Sequence, residues 1–147
     1  MARIRRILFA SDFSPASGKA LKTALQLAET HRATLTILHV IVPFSPVGPE
    51  PYIDAHTWDE ITADARRWSQ KQLVRLTQKA KKAGARAVTV LREGDPAREI
   101  VRVARSTRAD LLVVGTHGRT GLTKFLVGSV AGRVVATASC PVVTVRS

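Results

Sequence analysis

The chain has 147 residues, 23 Lys and Arg against 11 Asp and Glu for a formal charge of +12, and 45% hydrophobic but only 5% aromatic residues. That length suits one domain with a real core, and the basic balance favours an anionic partner such as a nucleotide, a nucleic acid or a membrane surface. A lone cysteine, Cys140, excludes an internal disulfide and reads as a small core residue; the four-residue apolar run in MARIRRILFA is too short for a signal sequence or a membrane span; and Tyr52, Trp58 and Trp68 are too scattered for a single-strand stacking platform. The cytoplasm is the expected compartment.

In chain order, Ile7-Leu8-Phe9-Ala10 reads as a short strand. Ser14 is placed to cap a helix with Pro15 in its first turn, and Ala20, Leu21, Ala24, Leu25 and Ala28 give that helix one apolar stripe. Asp12 falls between strand and helix, where open parallel sheets bind ligands; a carboxylate there also serves simply to bond the amides of its own turn. Thr34 to Val42 is rich in β-branched residues and predicts a second strand, with His39 a buried, hydrogen-bonded residue and Val40 a candidate contact for an adenine ring. The four histidines lack metal-ligand spacing.

From Pro43 to about Trp58, Pro43, Pro46, Pro49 and Pro51 predict a long surface loop. A helix over about 59–83 follows, with Ile61, Ala65, Trp68, Leu76 and Ala80 inward, a basic solvated face, and Gly84 as its stop. Ala87 to Leu91 is a third strand, and Asp95-Pro96 opens a third helix that buries Ile100, Val101 and Ala104.

The apolar run Asp110 to Val114 is a central strand, and GTHGRTGLTKFLVGS follows it. Gly115 and Gly118 let backbone approach a ligand closely, and Gly128-Ser129 opens a helix with Ser129 as its cap, burying Val130 and Val134. The free amides of such a helix start and its positive dipole end suit an oxygen anion. The spacing is neither a Walker A loop nor GxGxxG; it is G-x2-G-x9-G-[ST]. Turn-making alone is the plainer use of these glycines. After Pro141, Val142 to Val145 forms the last strand.

Strand and helix thus alternate through a single α/β domain over 1–147, a parallel sheet with helices on both faces. If the first and fourth strands are neighbours at a reversal of strand order, Asp12 and the Gly115 loop face one crevice.

The glycine pattern, with ILFASDFSPASGKALKTALQLA, LTILHVI, GDPAREIV, ADLLVVGTHGRTGL, VGSVAGRVV and SCPVVTV, resembles the universal stress protein family over nearly the whole chain. The resemblance implies a flavodoxin-like, Rossmann-like three-layer sandwich with strand order 3-2-1-4-5, a homodimer, and ATP (or AMP or ADP) as ligand, with or without Mg2+ or Mn2+. Carried over by position, Ala10 and Asp12 lie on the ribose and adenine side and Val40 at the base. Val114, Gly115, His117 and Gly118 follow the ribose and phosphates, and Gly128, Ser129 and Val130 close the phosphate site. Ala10 departs from the proline often found there, and the proline-rich loop and high basicity are not family hallmarks.

No nucleophile-base pair is evident, so the leading reading is a nucleotide-binding stress-response module rather than a catalyst. A slow ATPase or nucleotidyl enzyme on the same site, and a stress protein that binds no nucleotide and acts through protein or charge-driven nucleic-acid contacts, are the competing readings. With order 3-2-1-4-5, Val142 to Val145 is an unprotected sheet edge that calls for its own copy across a two-fold axis.

Overall fold

The computed structural model describes residues 3–43, 53–116 and 128–146. Its elements in chain order are β1 (Arg6–Ala10), α1 (Pro15–His31), β2 (Thr34–Ile41), α2 (Ala55–Lys82), β3 (Arg86–Glu93), α3 (Pro96–Ser106), β4 (Leu111–Gly115), α4 (Ser129–Thr137) and β5 (Val142–Val145). All strand pairs are parallel, in the order β3-β2-β1-β4-β5. The three-layer sandwich of order 3-2-1-4-5 is therefore the observed fold.

The central strands are continuous apolar runs because both their faces are covered. Ile7, Phe9, Leu35, Ile37, Leu111 and Val113 pack beneath α1 and α2, while Leu8, Leu38, Val40, Leu112 and Val114 pack beneath α3 and α4. Successive strand residues point to opposite faces, so each strand feeds both cores. Register is pinned where β1 meets β4, with Ile7 opposite Leu111 and Phe9 opposite Val113. At the amino end of that pair, Asp110 Oδ2 accepts from the Arg5 and Arg6 amides, each at 2.9 Å.

Local signals place most element ends. Ser14 caps α1, its hydroxyl accepting from the Ser17 amide at 3.2 Å, and Asp95 caps α3 by accepting from the Arg98 amide at 3.0 Å. Gly84, at φ +83°, leaves α2 in the left-handed conformation, and the Ala85 amide closes back on the Ala80 carbonyl at 3.0 Å.

Helix α2 departs from expectation twice. It begins at Ala55, because Asp54 acts as its cap and accepts from the Thr57 amide at 2.7 Å. Its buried residues are Ser69, Leu73 and Ala80, with Leu76 partly buried, whereas Ile61 and Trp68 are 41% and 47% exposed. The small Ser69, rather than the large Trp68, faces the sheet. In α4 the buried residues are Ala131 and Val134; Val130, expected inside, is exposed. Cys140 is partly buried against the α3–α4 core, and burial pushes its thiol pKa up, as suits a packing residue.

The Arg5 amide, the strongest influence, and the Arg6 amide hold the Asp110 carboxyl below its ordinary value of 3.8. A carboxyl depressed in the folded state contributes stability that is present above the ordinary carboxylate range and lost as pH falls through the lower folded value. Asp110→Asn is expected to flatten the acid limb of stability, measured by urea unfolding from about pH 5 to 2, relative to the parent chain. An identical acid limb in both proteins would contradict this role for Asp110.

Candidate functional site

Parallel strands leave their carboxyl-end groups unpaired by the sheet, and between β1 and β4 the crossovers diverge to opposite faces, leaving a crevice. A cavity of about 660 Å3 opens there. Ala10 of β1, Val40 of β2 and Val114-Gly115 of β4 line it from the strand ends, and Gly128, Ser129 and Val130 line it from the start of α4. Asp12 lines it from the β1–α1 turn. Eight of the sequence-chosen residues therefore meet in one hollow; His117 and Gly118 lie outside the described residues.

The β1–α1 turn is held by a compact set of hydrogen bonds. The Ser11 amide donates to the Leu38 carbonyl at 2.8 Å, extending β1 beside β2 by one more bond. The Ser11 hydroxyl accepts from the Phe13 amide at 3.0 Å and lies 2.9 Å from the Ser17 hydroxyl. Asp12 Oδ1 accepts from the Ser14 amide at 2.9 Å, so this carboxylate does perform the turn-bonding role while also reaching the cavity. Phe13 holds φ +63°, a conformation that bulky side chains rarely adopt, and the bonds on either side of it impose it.

That conformation places Phe13 against an aromatic neighbour. Its ring stacks on His39 with centroids 4.1 Å apart and an interplanar angle of 28°, and meets Trp68 edge-on at 5.4 Å. His39 is buried, and its Nδ1 lies 2.7 Å from the Ser11 carbonyl; since a carbonyl only accepts, Nδ1 carries the proton. His39 and Trp68 both line the cavity. Trp68 is thus a wall of the hollow rather than a core anchor, a position that the apolar periodicity of α2 did not reveal.

Sequence reasoning also missed Ser11, Ser17, Ser69 and Thr116, which supply hydroxyls to the lining. Ser11 carried a usable signal, its place between the two chosen residues Ala10 and Asp12. Thr116 carried none. It is buried; its amide donates to the Val145 carbonyl at 2.9 Å, and its own carbonyl accepts from the Gly128 amide. Thr116 and Gly128 are therefore bonded to each other beside the cavity.

The start of α4 differs from expectation in one respect. Gly128 is the cap and Ser129 the first helical residue, with no side-chain cap bond. The Gly128 amide is taken by Thr116, and the Ser129, Val130 and Ala131 amides meet no backbone acceptor among the described residues. These three donors at the positive end of a nine-residue helix border a cavity whose described lining carries a single carboxylate, that of Asp12. No described group of three or more His, Cys, Asp or Glu side chains suits a metal ion.

A five-stranded parallel sheet of order 3-2-1-4-5 with a cavity at its switch point defines a doubly wound α/β domain. The model of the Universal stress protein family matches residues 3–146. Universal stress protein YxiE of Bacillus subtilis (strain 168) is 37% identical over 145 residues, with 96% of this chain and 98% of that protein covered. The structure of universal stress protein UspA from Lactobacillus plantarum superposes with a TM-score of 0.84 at 25% identity, covering 99% of this chain and all of that one. A crystal structure of a universal stress protein in complex with cAMP superposes with a TM-score of 0.73 at 25% identity, covering 99% and 98%. This chain belongs to the universal stress protein family.

Since α4 is capped by Gly128 rather than by Ser129, Ser129→Ala is expected to change unfolding free energy by no more than about 0.5 kcal/mol, the range of surface substitutions. A loss of about 1 kcal/mol or more in urea denaturation would instead show that its hydroxyl caps α4.

Proposed function

We propose that this chain is an adenine-nucleotide-binding module of stress response or regulation, working in the cytoplasm, with ATP or a shorter relative, AMP or ADP, in the switch-point cavity. The single observation that carries this reading is the meeting of two unlike walls in one hollow: apolar Ala10, Val40 and Val114 on the strand side, and opposite them the amides of the α4 start, which meet no backbone acceptor among the described residues. The first suits a base and ribose, the second a chain of phosphates. The cavity volume, about 660 Å3, is in the range of small-molecule sites. The cAMP complex of a similar protein supports an adenine nucleotide.

On this reading Val40 packs the adenine, and Asp12, already fixed by the Ser14 amide, accepts from the base or ribose. Gly115, His117 and Gly118 follow the phosphates, and Gly128, Ser129 and Val130 hold their end. Mg2+ or Mn2+ would ride on the phosphates, since the described residues do not fit a protein-held metal. The chain's work is to bind and orient; Asp12, the carboxylate available in the described lining, is tied to its own turn rather than poised as a base.

The test is calorimetry of ATP binding. Hydrogen bonds to charged groups are worth about 1.5–3 kcal/mol, so Ser129→Ala should weaken ATP tenfold or more. Gly128→Val should abolish binding by placing a branched side chain at the phosphates. An affinity within twofold of the parent chain in a folded Ser129→Ala protein would contradict phosphates at this helix.

The module is proposed to work as a homodimer through β5. One edge of β5 pairs with β4, and the sheet order leaves the other at the margin. The opposite margin, β3, carries Arg86, Arg92 and Glu93, charges of the kind that block edge pairing, whereas β5 reads Val-Val-Thr-Val. Light scattering should give a dimer at micromolar concentration and a monomer for Val143→Pro; a monomeric parent chain would overturn the assembly.

A further inference from the structure

On the face of the molecule that carries α3 and α4, the two helices pack on one another and leave a second hollow of about 490 Å3 between them. Arg98, Arg102 and Arg105 line it from α3 and Arg133 from α4. The α3 arginines stand at i, i+4 and i+7, so they share one helix face over about 10 Å of its length. Ala97, Val101 and Ala136 are the apolar part of the lining.

The charges do not cancel. Arg102 donates to Glu99 at 2.9 Å, and Arg133 donates to both oxygens of Asp95 at 2.9 and 2.8 Å. Arg98 and Arg105 form no ion pair with a described carboxylate, so four guanidinium groups face two carboxylates and two positive charges remain. Arg102 stays 65% exposed although its partner Glu99 is buried, which leaves most of its donor fork open to a ligand.

We infer that this groove is a docking site for an acidic amphipathic helix of a partner protein. A helix laid along α3 would set acidic residues spaced three and four apart opposite Arg98, Arg102 and Arg105, and a small or aliphatic residue on the exposed Ala136, with Ala97 and Val101 buried beneath. Nucleic acid fits less well, because no aromatic side chain lines the groove to stack a base. The basic face of α2 is a weaker candidate, for it is a convex ridge on which Arg66 and Arg67 already pair with Glu93 and Asp64. The groove lies outside the nucleotide reading and does not depend on it.

The experiment is fluorescence anisotropy with a labelled helical peptide of about 18 residues, five turns, carrying Glu at i, i+4 and i+7 of one face and Ala and Leu beside them. The comparison probes are a scrambled peptide of the same composition and a single-stranded oligothymidine. The amphipathic peptide should bind at micromolar concentrations at least tenfold more tightly than the scrambled one, and Arg98→Glu with Arg105→Glu should weaken it at least tenfold. Ala136→Glu, which leaves all four arginines in place, should weaken it similarly, and circular dichroism melting should show both variant proteins folded. Equal binding of the scrambled peptide, indifference to either variant, or no binding at all would overturn the proposal. So would tighter binding of the oligonucleotide with a steep salt dependence, which would make the groove a nucleic-acid surface.

Discussion

The parallel pairing of β1 with β4 is the constraint on which the rest of this structure depends. Ile7, Leu8 and Phe9 sit opposite Leu111, Leu112 and Val113, and the 100 residues 11–110 separate the two strands. From β1 the chain crosses on the α1 side, and from β4 it crosses on the α4 side, so the strand ends part above this pair and leave a hollow. Ala10, Val40, Val114 and Gly115 are strand ends and Gly128, Ser129 and Val130 a helix start, while Asp12 enters from the β1–α1 turn and Trp68 from α2. Asp110 secures its far end, and the Ser11 and Thr116 backbone bonds carry the sheet pattern one residue past Ala10 and Gly115 at the near end.

Charge and site are separated in this molecule. Half of the basic surplus is carried by α2 and α3, with seven basic against three acidic residues in the first and three against one in the second, whereas the described cavity lining offers hydroxyls, apolar side chains and backbone amides. An anion in the cavity would thus be held by oriented dipoles of short reach, and anions elsewhere by exposed guanidinium and ammonium groups that salt screens. The Asp95–Arg133 pair stands between the two regions, joining the cap of α3 to the second turn of α4. The Arg133 hydrogen bonds are the largest influence holding the Asp95 carboxyl below its ordinary range.

Much of this was legible in the sequence because local rules and global fold agree. Continuous apolar strands, caps at Ser14 and Asp95 beside prolines, and a glycine stop at Gly84 each have a short-range cause, and they place seven of the nine elements closely. The failures are of register. In α2, hydrophobicity pointed to Trp68, but the helix turns Ser69 and Leu73 to the sheet, where a small residue allows close approach. In α4, Val130 was expected inside, yet the helix starts from a glycine cap and presents Ala131 instead. The start of α2 was hidden because Asp54, a good cap, follows a run of prolines that reads as loop. The aromatic cluster of Phe13, His39 and Trp68 joins the β1–α1 turn, β2 and α2, and only tertiary structure brings it together.

The central claim is that an adenine nucleotide occupies the hollow above the β1–β4 seam. Amide chemical-shift mapping during titration with ATP tests it most directly, because each wall reports separately. The account predicts large shifts at Val40 and Val114 on one wall and at Ser129, Val130 and Ala131 on the other, with Arg98 and Arg105 unmoved. Absence of shifts at saturating ATP, or shifts confined to the arginine groove, would contradict it.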